Sequence, residues 1–332
     1  MSKPDVVAVI LLAGATLYAT FGGADFGAGV WELLSVRSRD RDLRGRVERR
    51  VALSLGPVWE ANHVWLIFTL VVLWTGFPAA FAAIMETLYL PLALAAVGIV
   101  LRGSGFAFGH TFGDAAARRA HVVFAVSSLI TPFFLGCVVG AIAAGDVEAG
   151  GSGSALGWVG PLPILVGVLF VASCAYIASV FLLDDCRRAG DEELEPYFLR
   201  RSIAAAVVTG ILAAAGLVVL HADARPIFDG LIDEGLPFVI ASALLGLLTL
   251  AGLVRGWSRA LRPLAIGAVV AVVAGWAVAQ YPYLLPETLT VNDGAGAGPA
   301  LTALIVVFVV ALAVVGPSLA LLFRLAQRQA LE

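Results

Sequence analysis

The sequence predicts an all-α polytopic membrane protein, organised as a single integral membrane domain over residues 1–332. Three observations lead there. The chain is 60% hydrophobic and 14% charged, with a mean hydropathy of +0.96, whereas soluble domains are close to half apolar and a quarter charged. Apolar runs cover the whole length, so no polar helices or strands remain to wrap a large water-soluble core. The basic residues also alternate between one set of connections and the other.

Nine runs approach the ~20 residues that a helix needs to cross the hydrocarbon core. They fall at about 5–34, 51–75, 78–102, 121–144, 161–183, 203–221, 236–254, 262–281 and 299–323. The first has no small-residue cleavage site after it and carries Asp25 within GGADFGAG, so it reads as a retained helix and not as a signal peptide. The segment 35–50, SVRSRDRDLRGRVERR, holds seven arginines and connects the first two runs. Arg102, Arg118 and Arg119 follow the third run, and Arg187, Arg188, Arg200 and Arg201 follow the fifth. Arg255, Arg259 and Arg262 follow the seventh, and Arg324 and Arg328 lie in the tail. Nineteen of the 21 Lys and Arg therefore lie on one side, with only Lys3 and Arg225 on the other. Connections rich in Lys and Arg stay in the cytoplasm, which predicts an outer N-terminus and a cytoplasmic C-terminus. The remaining connections, 145–158 and 282–299, contain no basic residue, and neither is long enough for a soluble domain.

Several chemistries are poorly supplied. Cys137, Cys174 and Cys186 have no CxxC spacing and read as small buried hydrophobes. There are four His and two Met, and haem needs axial His, Met, Cys or Tyr ligands inside a bundle. Of these residues only His63 and Met85 fall well within runs. Several haems therefore cannot be ligated here, and no metal-binding, Walker or HExxH motif occurs.

What remains is polar residues within apolar helices, which by default mark functional sites. Asp25 lies toward the inner end of the first run among Gly22, Gly23, Gly27 and Gly29, where small residues permit close helix approach. It reads either as a proton-relay group or as a structural acid paired with an arginine. Glu60 lies about nine residues into the second run, or ~14 Å along it, near the middle of the bilayer. His63 shares its face at i+3, with Asn62 between them and Trp59 and Trp65 on either side. Glu86 lies about eight residues into the third run, as a second polar site or a partner to a neighbouring helix. Arg102 closes that run, where snorkelling to lipid phosphates is its simplest role.

At these residues the chain resembles a known family. GPVWEANHVWL, FPAAFAAIMETLYLPL and LRGSGFAF, with YATFGGADFGAGV earlier and AQYPYLLPETLTV later, are similar to subunit II of cytochrome bd-type quinol oxidases. The likeness covers essentially the whole chain. It implies two four-helix bundles plus one further helix, in a heterodimer with a subunit I that carries haem b and haem d. It also implies that this subunit binds no haem or metal, can hold a structural quinone, and contributes to a cytoplasmic proton path. Asp25 matches the second acid of the family's first-span motif, and Trp59 and Asn62 match a WDGN-like motif. Glu60 stands where that motif usually has Asp, Ala61 replaces Gly, and Arg102 matches the arginine closing the third span. Gly22, Ala107 and Gly109 stand where the family carries polar or acidic groups, and Glu86 where it has a small residue, so the chain reads as a divergent branch.

The reading is a haem-free subunit II of a quinol:oxygen oxidoreductase in the bacterial cytoplasmic membrane, an enzyme only as part of its complex. Asp25 and Glu60 form the proton path, supported by Trp59, Asn62, His63, Glu86 and Arg102, with no catalytic residue in this chain. Expected partners are subunit I, membrane quinol or quinone, and a small accessory subunit; no nucleic acid is expected. Two alternatives stay open. A stand-alone proton-coupled transporter suits buried carboxylates, although the paired Gly/Pro-broken segments of a midplane site are lacking. A purely structural assembly subunit would use the carboxylates for packing alone.

Overall fold

The computed structural model describes the backbone of residues 1–36, 40–55, 59–109, 114–151 and 153–327. Within these, the side chains of 36, 55, 59–61, 105–109, 114–121, 319–320 and 322–327 lie outside the description. The described residues are mostly helical: α1 Lys3–Leu17, α2 Gly23–Val36, α3 Arg41–Leu55, α4 Trp59–Gly76, α5 Pro78–Thr87, α6 Tyr89–Gly109 and α7 Asp114–Ala144. There follow α8 Pro161–Ala189, α9 Glu195–Asp223, α10 Arg225–Ile232, α11 Leu236–Val254, α12 Leu261–Gln280 and α13 Gly298–Gln327. A small antiparallel hairpin, β1 Tyr283–Leu285 with β2 Leu289–Thr290, caps the end opposite the arginines.

Seven helices among the described residues are long and apolar enough to cross a membrane: Lys3–Ser35, Val122–Ala144, Pro161–Ala189, Glu195–Asp223, Leu236–Val254, Leu261–Gln280 and Gly298–Ser318. The second and third expected runs differ in detail. Asn62–Gly76 and Pro78–Thr87 are bent 117° from one another, and the apolar helix Tyr89–Ser104 is shorter than a full span. The run 78–102 is thus divided at Leu88. Pro91 explains the break, because it offers no N–H to the Thr87 carbonyl four residues back and its ring would clash there. Pro78 begins α5, where the missing N–H costs nothing. Much of the arginine-rich connection is itself helical: α3 turns Val47 and Val51 into the core.

Burial organises the bundle around α2 and α8. α2 packs on α7 and α8, α6 on α7, α8 on α9, and α11 on α12, while α1 lies against α4 and α13. One core joins Ala28, Trp31, Ile177, Leu183, Phe198, Leu253 and Leu261. A second, at the opposite end, joins Val7, Phe77, Leu88, Ala141, Val147, Leu285 and Val291. It gathers α5, the hairpin and the 145–158 connection.

The charged ends sort as the alternation predicts. Arg50 bonds Asp191 at 2.9 Å, Arg46 pairs with Glu193, Arg187 meets Glu195 at 2.7 Å, and Arg262 reaches Asp184 at 2.6 Å and also Asp185. α3, the end of α8, the start of α9 and the α11–α12 connection therefore share one end. At the other end Ser2 bonds Asn292, and Lys3 bonds Thr302 at 3.0 Å. Exposed pairs of this kind contribute only about 0–1 kcal/mol each. Their value here is to register the helix ends.

Candidate functional site

The interior polar site is built where α2, α6 and α7 meet. Asp25 is fully buried, and Arg102 is 1% exposed. Arg102 Nη2 stands 2.8 Å from Asp25 Oδ1 and donates to the Asp25 backbone carbonyl at 3.0 Å. Its Nη1 donates to Ser128 Oγ on α7. The guanidinium also lies 4.1 Å from the centre of the Phe124 ring and 5.1 Å from that of Phe26, the geometry of cation–π attraction. Two of the five N–H groups of Arg102 are thus used on the carbonyl and the serine. Among the described residues, both Asp25 carboxylate oxygens, and Arg102 Nε, have no hydrogen-bond partner. The pair is held by charge, with acceptor sites still open on Asp25. Taking either charge out of water is costly, and each partner offsets that cost for the other.

This placement corrects one expectation and sharpens another. Arg102 does not snorkel to a boundary; it turns inward to Asp25. Asp25 has the arginine partner that its structural reading required. The glycines around it serve close approach: a Cβ built at Gly27 would overlap the Cys174 carbonyl of α8, and one at Gly29 would overlap Ser128.

Just before Asp25, residues Tyr18–Gly22 form a single π turn, and the Gly23 N–H reaches back to the Tyr18 carbonyl. Such turns occur often at functional sites. The hydroxyls of Thr16 and Thr20 bond carbonyls one turn back, at 2.7 and 2.9 Å, a habit that loosens helices. The turn places Tyr18 against Phe26 and His63, with ring centres 6.2 Å apart in both cases. Phe26 and His63 are 5.7 Å apart, edge to face. His63 therefore comes to the Asp25 region from α4, and Asn62 is buried beside it at 3% exposure. Trp59 and Glu60 begin α4, but their side chains lie outside the described residues.

Glu86 does not join the site. It is exposed on α5, and its carboxylate lies against Gly151 of the 145–158 connection. The division of the third run at Leu88 is the reason: α5 packs among the hairpin and that connection, not deep in the bundle. Conversely, Glu32 is a buried carboxylate, 4% exposed, that the sequence reading did not single out. It lies seven residues from Asp25 on α2, ~10 Å along the same face. The spacing Asp25, Gly29, Glu32 was the available signal. Among the described residues, no group of three or more His, Cys, Asp or Glu could hold a metal ion.

The fold and the site together define a polytopic α-helical membrane protein with a charge pair locked inside its bundle. The chain belongs to the family of cytochrome bd terminal oxidase subunit II, which it matches over residues 3–326. It is also similar to the cytochrome bd ubiquinol oxidase subunit 2 of Bacillus subtilis (strain 168), with 27% identity over 207 residues. That alignment covers 60% of this chain and 58% of the relative, less than two thirds of its length. The fold is similar to a chain in the structure of bd oxidase from Geobacillus thermodenitrificans, with a TM-score of 0.78 and 27% identity. That match covers 98% of each chain.

Proposed function

We propose that this chain is the haem-free subunit II of a quinol:oxygen oxidoreductase and delivers cytoplasmic protons for the reduction of oxygen to water. In this reading it crosses the bacterial cytoplasmic membrane nine times, as two four-helix bundles plus one further helix, with its N-terminus outside. Its partner is subunit I, which would hold haem b and haem d and oxidise membrane quinol.

The observation that carries the proton role is the state of Asp25: fully buried, charge-compensated at Oδ1, and with no hydrogen-bond partner for Oδ2 among the described residues. An acid so placed can receive a proton at Oδ2 while Arg102 keeps Oδ1 in position. Glu60 would supply it from α4, with Trp59, Asn62 and His63 shaping and hydrating the path. The residues present also disfavour a haem seat in this chain. The His63 ring packs at steep angles against Tyr18 and Phe26, among aromatic side chains. Met85 stands on α5, next to the residue that meets the 145–158 connection. Haem chemistry would thus be supplied by the partner, and this chain would hold and move protons.

The structural alternative has an observation of its own, the Asp25–Arg102 pair, which would staple α2 to α6 whether or not protons pass. Glu60→Gln separates the two readings. If Glu60 carries protons, turnover per haem falls tenfold or more in a fully assembled complex, since essential proton-transfer groups contribute about 10²–10⁴-fold. Wild-type turnover per haem in that variant would leave only the structural role.

A further inference from the structure

Two open surface depressions at the arginine-rich end share one short connection. The first, of ≈ 400 Å³, is lined by Asp184, Arg187, Arg188, Ser258 and Arg259. The second, of ≈ 310 Å³, is lined by Leu247, Leu250, Ala251, Val254 and Arg255. The first is polar and lies at helix ends. The second is an apolar groove along one face of α11, at i, i+3, i+4 and i+7, and stops at an arginine.

The geometry of the connection ties them together. α11 ends with Gly256 in the left-handed region at φ +73°. The Gly256 N–H bonds the Leu253 carbonyl at 3.3 Å, and the Trp257 N–H bonds the Gly252 carbonyl at 2.8 Å. This double closure fixes the exit of the chain. Arg255 is held at the end of the groove and Arg259 over the polar cavity. Trp257 is 40% exposed between them, as expected of an aromatic at headgroup level.

The charge is unbalanced. Arg187 bonds Glu195 through Nε and the Trp257 carbonyl through Nη1. Arg188 bonds Asp184 through Nη2, and Arg262 reaches Asp184 and Asp185. Arg255 and Arg259 are exposed and have no ion pair among the described residues. Five arginines thus face three carboxylates, an excess of two positive charges, with N–H groups of Arg187 and Arg188 left to donate.

We propose that this end of α8, α11 and α12 seats one anionic phospholipid. Its phosphate is held by Arg187, Arg188, Arg255 and Arg259, and an acyl chain lies along Leu247, Leu250, Ala251 and Val254. Basic pockets between helices at the cytoplasmic boundary suit such headgroups. A free phosphate would explain the arginines but not the apolar groove that ends at Arg255. A zwitterionic lipid would explain the groove but not the excess charge. The inference needs only that the chain spans a membrane and does not rest on the proton path.

Native mass spectrometry of the purified complex tests it, with synthetic phosphatidylglycerol and phosphatidylcholine as probes and excess inorganic phosphate as competitor. The wild type retains one phosphatidylglycerol that phosphatidylcholine does not replace and phosphate does not displace. Arg255→Gln with Arg259→Gln lowers that affinity about 30-fold, since each basic residue near an anionic surface contributes about fivefold and the two factors multiply. Ala251→Trp fills the groove and also lowers affinity, with every charge in place. Haem content and turnover, read in the same samples, show that the variants are assembled. Equal retention of the two lipids, or unchanged affinity in the double arginine variant, overturns the proposal. So does displacement by phosphate together with normal binding in Ala251→Trp, which would make this a free-anion site.

Discussion

Replacing Asp25 by Asn removes one half of a buried charge pair and leaves the other. Breaking such a pair from one side costs about 3–5 kcal/mol. Arg102 keeps the Asp25 backbone carbonyl, Ser128 and the rings of Phe26 and Phe124. The low end of that range, about 3 kcal/mol, is therefore expected. That is roughly a hundredfold in the folding equilibrium. Adding Arg102→Leu removes the stranded cation and restores part of the loss, because the uncompensated buried charge is the main cost of a half-broken pair. Guanidinium titration of the purified complex, followed by helical circular dichroism, gives the three midpoints. Oxygen uptake per haem is then measured on the double variant, whose assembly is intact. The account expects a large loss for the single variant, recovery in the double, and turnover that stays low in both. An Asp25→Asn complex as stable as the wild type would refute the coupling. A double variant with full turnover would refute the proton role of Asp25.

The other predictions are direct. Glu60→Asp retains more turnover than Glu60→Gln, because the charge is kept and the family resemblance places Asp there. Gly27→Val leaves little assembled protein, since any Cβ overlaps the Cys174 carbonyl, whereas Gly45→Ala, with open space around it, accumulates normally. Asp146 has its carboxyl raised above 3.8 by burial and then by the Asp223 carboxylate. A raised acid favours the folded state at low pH, and that contribution is lost as pH rises from 3.8 through the folded value. Asp146→Asn should therefore equal the wild type below that window and exceed it in stability above, which thermal unfolding across pH will show. Single cysteines placed in 35–50 and 282–299 should react with an impermeant maleimide in intact cells only at 282–299. The native Cys137, Cys174 and Cys186 are buried and will not interfere.

Much of the architecture was legible because lipid imposes a simple length rule and the arginines mark one side. The alternation that placed 35–50, 187–201 and 255–262 together reappears as ion pairs among Arg50, Asp191, Arg187, Glu195 and Arg262. Local backbone events were less visible. The break at Leu88 required weighing Pro91 against a continuous apolar run, and apolarity was the louder signal. The π turn at Tyr18–Gly22 has no pattern beyond two threonines and two glycines.

The site was half legible. Asp25 stands out because a carboxylate in an apolar run is costly anywhere. Its partner does not, because Arg102 is 77 residues away and a run-closing arginine looks the same whether it turns out to phosphates or in to an acid. Only the packing of α2, α6 and α7 decides that. Glu32 was overlooked because it lies near the run's end, where a carboxylate ordinarily reaches water; here α2 is covered on that side, and it is buried. Glu86 drew attention for its depth in the sequence, and the division of its run at Leu88 removed that depth.

The central claim is that this chain works as the haem-free half of a quinol oxidase. Affinity purification of the tagged chain from its native membrane, with a reduced-minus-oxidised spectrum and quinol-driven oxygen uptake on the same eluate, tests it most directly. The account predicts a second, haem-bearing subunit in equal amount, with oxygen uptake, and a haem signal that stays with that subunit when the two are separated. A haem signal that stays with this chain, or an eluate without haem-bearing partner or oxygen uptake, would contradict it.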